Sequence, residues 1–215
     1  MIKAVIFDID GVLLDSFEAN LKFYQDLMVK NGYRPPTNEQ VAAVFHLSMM
    51  DGIKIFTGST SDDEVERIWK MGRDKEVPYP FELLVIPDGV EDVIESLNKN
   101  YCLGIVTSRV RKGIYSIPLL KKLEKYFKVA VAYEDTVEHK PNPEPLLLAA
   151  EKLGLKPEEC VYIGDMESDI IASKAAGMKI IIYSKIKFDQ TDAQTEVFTK
   201  LPELIELLNK QYANG

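Results

Sequence analysis

Hydrophobic residues along this chain gather into five short continuous runs: AVIFD at 4–8, LGIVT at 103–107, VAVAY at 129–133, CVYIG at 160–164 and KIIIY at 179–183. Unbroken rather than alternating apolarity marks strands covered on both faces, as in a parallel sheet. Between the runs, apolar positions switch to helical spacing in EDVIESLNK from Glu91, over 115–126, in PEPLLLAAEKLG from Pro143 and in SDIIASKAAG ending at Gly177. Gly154 and Gly177 stand where helix C-caps are expected. Strand and helix in alternation predict an α/β, doubly wound parallel sheet. A last helix over 201–211 carries Leu204, Leu207 and Leu208 on one stripe and is expected to pack on the sheet edge.

Residues 17–81 break the alternation. They hold helical patterns at 18–30, 38–46 and 62–73 and no convincing strand, so they read as an all-helical domain inserted after the first strand. The expected division is therefore 1–16 with 82–215 as the sheet domain and 17–81 as the insertion. Both borders are loop-like: Asp15-Ser16 on entry, and on exit VPYPFELLVIPDG, with three prolines between Val77 and Gly89.

Charge narrows the function classes. With 26 basic against 34 acidic residues the net charge is -8, so no global positive field draws in a nucleic-acid polymer or an anionic membrane. No apolar run approaches the ~18 residues of a membrane span, and the N-terminus lacks a signal-type pattern. A cytoplasmic location is expected. Cys102 and Cys160 lack paired CxxC spacing, and both are expected to be reduced core residues.

The stretch VIFDIDGVLLD has the letters of a tight hairpin, since apolar runs flank Asp10-Gly11. Yet Asp8 and Asp10, two apart at a strand end, would project to one face. In open α/β sheets ligands bind beyond the carboxyl ends of the strands. The polar residues there are Asp8 and Asp10 after the first run, Thr107-Ser108-Arg109 after the second, Glu134-Asp135 and His139-Lys140-Pro141 after the third, and GDMESD at 164–169 after the fourth. Each alone has a plain reading as a turn, a cap or a solvated loop. Together they bring carboxylates, hydroxyls and a lysine to one rim. Asp8, Asp10 and Asp165 side by side would repel unless a cation sat among them, and oxygen-only ligands suit Mg²⁺, which keeps substrate phosphate oxygens in its sphere. Lysine, hydroxyl and backbone N–H groups beside it would cradle a phosphoryl group. Asp8 is the carboxylate best placed to attack phosphorus, and Asp10, one step out, could carry the proton.

The ordered set DIDGVLLDS, IVTSR, HKPNPEP and GDMESDIIASKAAG resembles the haloacid dehalogenase-like hydrolase superfamily, in its branch of small phosphatases similar to phosphoglycolate phosphatase and β-phosphoglucomutase. The resemblance covers nearly the whole chain. It implies a Rossmann-like core with 17–81 as a helical cap, Asp8 as nucleophile and Asp10 as general acid/base. It further implies that Thr107 and the Ser108 amide hold the phosphoryl group and that Lys140 bridges nucleophile and phosphate. Asp165 would bind Mg²⁺ with Asp8 and the Asp10 carbonyl, Asp169 would orient Lys140 or metal waters, and Gly11 would start a flap beside the site. The expected partner is a small phosphorylated metabolite, and the chain is expected to be a monomer or weak homodimer. Dehalogenases of the superfamily lack the second aspartate, so Asp10 argues for phosphate chemistry. Hydrolysis is preferred to a phosphomutase because VFHLSMMDGIKIF does not match the mutase cap. A binding protein without activity would be expected to have lost Asp10, Lys140 or Asp165.

Specificity is less legible. Arg109 suits phosphate or carboxylate and is expected to touch substrate. In the insertion, His46, Lys54, Arg67, Lys70 and Arg73 could reach an anion, but a helical lobe also needs a solvated face; Trp69 is expected to be insertion core.

Overall fold

The computed structural model describes residues 1–45 and 47–213, and the chain divides into two compact units, Met1–Leu14 with Ile86–Gly215 and Asp15–Val85. In the first unit six strands form one parallel sheet: β1 (Ala4–Phe7), β2 (Cys102–Val106), β3 (Phe127–Val131), β4 (Cys160–Gly164), β5 (Lys179–Tyr183) and β6 (Ala193–Thr195), in the order β3-β2-β1-β4-β5-β6. From β1 the chain moves out to β2 and β3, then returns to the other side of β1 at β4. That reversal opens a crevice beyond the ends of β1, β2 and β4, the place where doubly wound sheets bind ligands. The Rossmann-like α/β core expected from the sequence is the one observed.

The second unit carries α1 (Phe17–Lys30), α2 (Asn38–Val44), α3 (Met49–Thr57) and α4 (Asp62–Arg73) around Phe23, Leu27, Met28, Ile53, Val65 and Ile68. Helix α3 was not expected. Its start is nonetheless written locally, because Ser48 accepts a hydrogen bond from the Asp51 amide as an N-cap. Asp15 and Val85, the ends of this unit, exchange both backbone hydrogen bonds, and the Asp15 carboxylate accepts from the Phe17 amide at the start of α1. Trp69 packs beside the unit's core, as expected.

The sheet helices are α5 (Val90–Leu97), α6 (Arg111–Ile114), α7 (Pro118–Leu123), α8 (Glu144–Leu153), α9 (Glu167–Ala176) and α10 (Leu201–Ala213). The single helix expected over 115–126 is instead α7 followed by a 3-10 turn at Glu124–Tyr126, because Pro118 takes the first helical position and leaves 115–117 outside the helix. Strand β6 was missed since Ala-Gln-Thr is short, polar and only half-buried at the sheet edge. Helices α8 and α9 cover one face of the sheet, where Ala4, Ile6, Val131, Leu146, Ala149, Tyr162, Ile170, Ala172 and Ile180 form one buried cluster. On the other face Phe7 stacks on Phe198 just before α10.

Two further expectations are corrected. Cys160 is buried, but Cys102 is exposed, because it is the first residue of β2 and precedes the part of the strand that is covered. The inward stripe of α10 is Leu201, Ile205 and Leu208, spaced four and three apart, while Leu207 is 46% exposed. The helix packs beside α5. Ile205→Ala is therefore expected to cost about 2–5 kcal/mol in urea unfolding, whereas Leu207→Ala is expected to shift the midpoint by only a few tenths.

Candidate active site

Side chains alternate along β1, so Asp8 continues the face of Ala4 and Ile6 and points to the side covered by α8 and α9. Its amide donates to the Ile163 carbonyl at 2.9 Å, which extends the ladder one residue past β1 and fixes its place. Lys140, in the loop that leads into α8, reaches the same point. Its Nζ donates to Asp8 Oδ2 at 2.6 Å, to Asp169 Oδ1 at 2.8 Å and to the Tyr162 hydroxyl at 2.9 Å. Asp169 comes from the first turn of α9, and its other oxygen, Oδ2, accepts from the Asp165 and Met166 amides at 3.0 and 3.1 Å. Tyr162 passes the chain of bonds on by donating to the Val106 carbonyl at 3.2 Å.

Tyr162 escaped the sequence reading. The signal was present, since a tyrosine inside an otherwise aliphatic buried strand must find a partner for its hydroxyl.

Asp8, Asp165 and Asp169 each offer an oxygen within 4.8 Å of the others. Two glycines make this crowding possible. A Cβ on Gly11 would stand 2.0 Å from Asp165 Oδ2, and Gly11 also has φ +78°; a Cβ on Gly164 would stand 2.5 Å from the Cβ of Asp169. Gly11 thus opens the flap over a carboxylate that no larger residue would leave in place. Leu14 is hydrogen-bonded back to Gly11, and Ile9, Val12, Leu13 and Leu14 are fully buried, so the flap is tightly held.

The electrostatics follow from burial and crowding. Burial pushes the Asp8 carboxyl up to about 6, with Lys140 pulling down and Asp169 adding to the rise. Asp165 is pushed up to about 9, first by burial and then by the charges of Asp169 and Asp8. Burial works against the charge on Lys140, but Asp169 and Asp8 outweigh it and hold the ammonium well above its ordinary range. A third carboxylate that resists ionisation beside two others is a donor set short of positive charge. Its hard oxygens fit Mg²⁺.

Thr107 is buried at the end of β2, and its amide continues the ladder to Val131. Its Oγ1 accepts from the Arg109 amide at 3.2 Å, so the hydroxyl shapes the turn that carries exposed Ser108. Arg109 does something the sequence did not announce. Its Nε and Nη2 donate to Asp10 Oδ2 and Oδ1 at 2.7 and 2.6 Å, a bidentate pair. Asp10 thus pairs with Arg109 and lies outside the three-carboxylate group, although its charge still adds to the rise at Asp8 and Asp165. Tyr133 stacks on His139 at 4.0 Å, and its amide donates to the Arg109 carbonyl at 2.9 Å, joining the Arg109 turn to the loop that bears Lys140.

Among the insertion's cations, Lys54 pairs with Asp62, Arg67 donates to Asn31, Lys70 pairs with Glu66, and Arg73 pairs with Asp74 and lies over Trp69. His46 lies outside the described residues. Among the described residues no helix is long and apolar enough to cross a membrane.

The family model for haloacid dehalogenase-like hydrolases matches residues 5–183. The pyrophosphatase PpaX of Bacillus pumilus (strain SAFR-032) is 31% identical over 182 residues, covering 83% of this chain and 81% of that protein. A HAD-superfamily hydrolase of subfamily IA from Geobacter sulfurreducens PCA shares 28% identity with a TM-score of 0.71, over 95% of this chain and 96% of that one. The β-phosphoglucomutase of Clostridium difficile, 21% identical, has the same fold with a TM-score of 0.83 over the full length of both chains.

The site predicts its own response to a cation. A carboxyl whose folded value is raised adds to stability below its ordinary value, and that contribution fades as pH climbs through the raised one. For Asp165 the window runs from the ordinary carboxylate range to about 9. A bound cation reverses the penalty, so the rise in Tm on adding Mg²⁺ is expected to grow from pH 5 to pH 9. At a hundredfold excess over Kd it should reach about 5–10 °C. Differential scanning fluorimetry checks this, with Asp165→Asn expected to abolish the response. Gly11→Ala is expected to displace Asp165 and weaken Mg²⁺ binding at least about tenfold in a calorimetric titration, through both its positive φ and the Cβ clash.

With the parallel sheet, the four strand-end motifs and the match over residues 5–183 together, this chain belongs to the haloacid dehalogenase-like hydrolase family.

Proposed function

We propose that this hydrolase is a Mg²⁺-dependent phosphatase that cleaves a small phosphorylated metabolite through an aspartyl-phosphate on Asp8. One observation carries the reading: Asp8 is locked at the end of a central strand, and its Oδ2 is bound at 2.6 Å by an ammonium that Asp169 and Tyr162 hold in turn. That arrangement fixes the carboxylate's direction and sets a permanent positive charge beside the point where a phosphoryl group would sit. The named activity of the Bacillus pumilus relative, a pyrophosphatase, lies in the same reaction class.

In this reading Asp8 attacks phosphorus as the bond to the leaving oxygen breaks, and Asp10 gives that oxygen a proton. Asp10 then takes a proton from water as the water oxygen attacks the phosphoryl group. The bond to Asp8 breaks, and inorganic phosphate departs. Thr107 and the Ser108 amide hold phosphoryl oxygens, and Lys140 offsets charge on Asp8 and the phosphoryl group. Asp8, Asp165 and the Asp10 carbonyl would hold Mg²⁺, which supplies charge neutralisation for the phosphoryl oxygens, while Asp169 keeps Lys140 in place. The helical unit Asp15–Val85 serves as the cap, and the enzyme acts in the cytoplasm as a monomer or weak homodimer.

The test is phosphate release from a panel of phosphomonoesters and inorganic pyrophosphate, with and without Mg²⁺. Asp8→Asn is expected to lower kcat at least about a thousandfold while leaving the melting curve cooperative. Asp10→Asn is expected to lower it by about 10²–10⁴ for alkyl esters, the range of a positioned acid. Phosphate release by Asp8→Asn at the wild-type rate would remove the nucleophile assignment, and an isomerised phosphate ester in place of free phosphate would favour a mutase.

A further inference from the structure

From the bonds of Lys140 we infer that Tyr162 is a positioning residue that holds the lysine's third N–H away from the phosphoryl group, so that Lys140 acts on that group by charge and not by a hydrogen bond. The inference rests on the phosphatase reading and deepens it, because it states how one group of that site meets the phosphate.

A lysine ammonium has three N–H groups. Three side chains take them here: Asp8 Oδ2 at 2.6 Å, Asp169 Oδ1 at 2.8 Å and the Tyr162 hydroxyl at 2.9 Å. A phosphoryl oxygen would be a fourth acceptor for three donors. One of the present partners would have to give way.

Each of the three is held from elsewhere. The Asp8 amide stays in the ladder to Ile163, and Asp169 is fixed through its second oxygen by the Asp165 and Met166 amides. Tyr162 is the neutral partner and so the weakest acceptor, yet packing confines it most. It is fully buried and stands opposite Ile6 in the register of β4 with β1. Its ring reaches across β1, so that the hydroxyl donates to the Val106 carbonyl of β2 at 3.2 Å. The backbone of Tyr162 thus belongs to one neighbour of β1 and its hydroxyl to the other. The single hydroxyl proton goes to Val106, which leaves the oxygen to accept from Lys140.

The ammonium therefore stays aimed at Asp8 and Asp169. Its full charge still lies beside the nucleophile and attracts a phosphoryl dianion over that distance. What is withheld is a directional bond to a phosphate oxygen. A bond that grips substrate, transition state and product alike lowers KM and retains the product without speeding the chemistry. Tyr162 removes that grip while leaving the charge in place.

Tyr162→Phe isolates the hydroxyl, because it keeps the ring whose centroid lies 5.4 Å from Nζ. Binding of inorganic phosphate to the wild type and the variant is measured by isothermal titration calorimetry, with Mg²⁺ present in both and melting curves to confirm that both are folded. The variant is expected to bind phosphate about 10-fold more tightly, the lower end for a hydrogen bond to a charged group. A merely structural tyrosine gives the opposite sign, since a loosened site binds phosphate less well. Unchanged or weaker binding by the folded variant overturns the inference. A crystal structure of the wild type with phosphate and Mg²⁺ decides the matter even where the variant does not fold. There the Lys140–Tyr162 bond is expected to persist with no phosphate oxygen within hydrogen-bond distance of Nζ, and a phosphate oxygen in place of the hydroxyl overturns it. Either overturning result leaves the phosphatase reading standing when the ester panel is hydrolysed. Absence of phosphate release from every compound of that panel by the wild type overturns the phosphatase reading and the role of Tyr162 with it.

Discussion

Everything at this site depends on a buried ammonium. Lys140 is committed to Asp8, Asp169 and Tyr162 at the closed inner end of the crevice. Removing charges from water costs several kcal/mol per ion, and only good geometry with further hydrogen bonds offsets it. The fold supplies that geometry from four separate elements: the end of β1, the loop before α8, strand β4 and the first turn of α9. The remaining polar atoms are also satisfied, since Asp169 takes two backbone amides and Tyr162 donates to Val106. Truncating Lys140 would leave two buried carboxylates without their shared counter-charge, so the ammonium holds the parts in a single arrangement.

That arrangement constrains its neighbours. Asp169 can approach the end of β4 only because residue 164 lacks a side chain, and Asp165 can sit beside Asp8 only because residue 11 does. The three carboxylates are thus brought together with one ammonium among them, and Asp165 is left hard to ionise. A cation is the natural complement of such a set, which links a packing fact about two glycines to the gathering of three carboxylates. The outer pair, Arg109 with Asp10, is built differently. It is shallower and draws its partners from the flap and the β2 turn.

Much of the fold was legible because it rests on local rules. Five apolar runs marked five of the six strands, and the polar residues after them marked the rim, since a parallel sheet buried on both faces leaves chemistry only at its ends. The failures have equally local causes. Pro118 set a later helix start within apolar spacing that looked continuous, and β6 carries too little apolar surface to announce itself. In α10 the apolar residues outnumber the buried positions, so Leu207 faces out while Ile205 faces in, a choice that the helix's own spacing does not announce. Cys102 follows the same lesson: membership of an apolar run does not decide where the cover over a strand begins.

The opening carboxylates show where the two kinds of information meet. From the sequence alone came the identity of the groups, their order along the chain and the end of the sheet at which they gather. Those follow from periodicity and from the chemistry of each side chain. Their pairing came only from the tertiary structure, because Lys140 is 132 residues from Asp8 and Arg109 is 99 residues from Asp10. Adjacent in sequence and alike in charge, Asp8 and Asp10 end in different hands: one held by an inner lysine, the other by an outer arginine. Spacing can place two carboxylates on one rim. Which cation each one meets is decided by the crossing of distant strands.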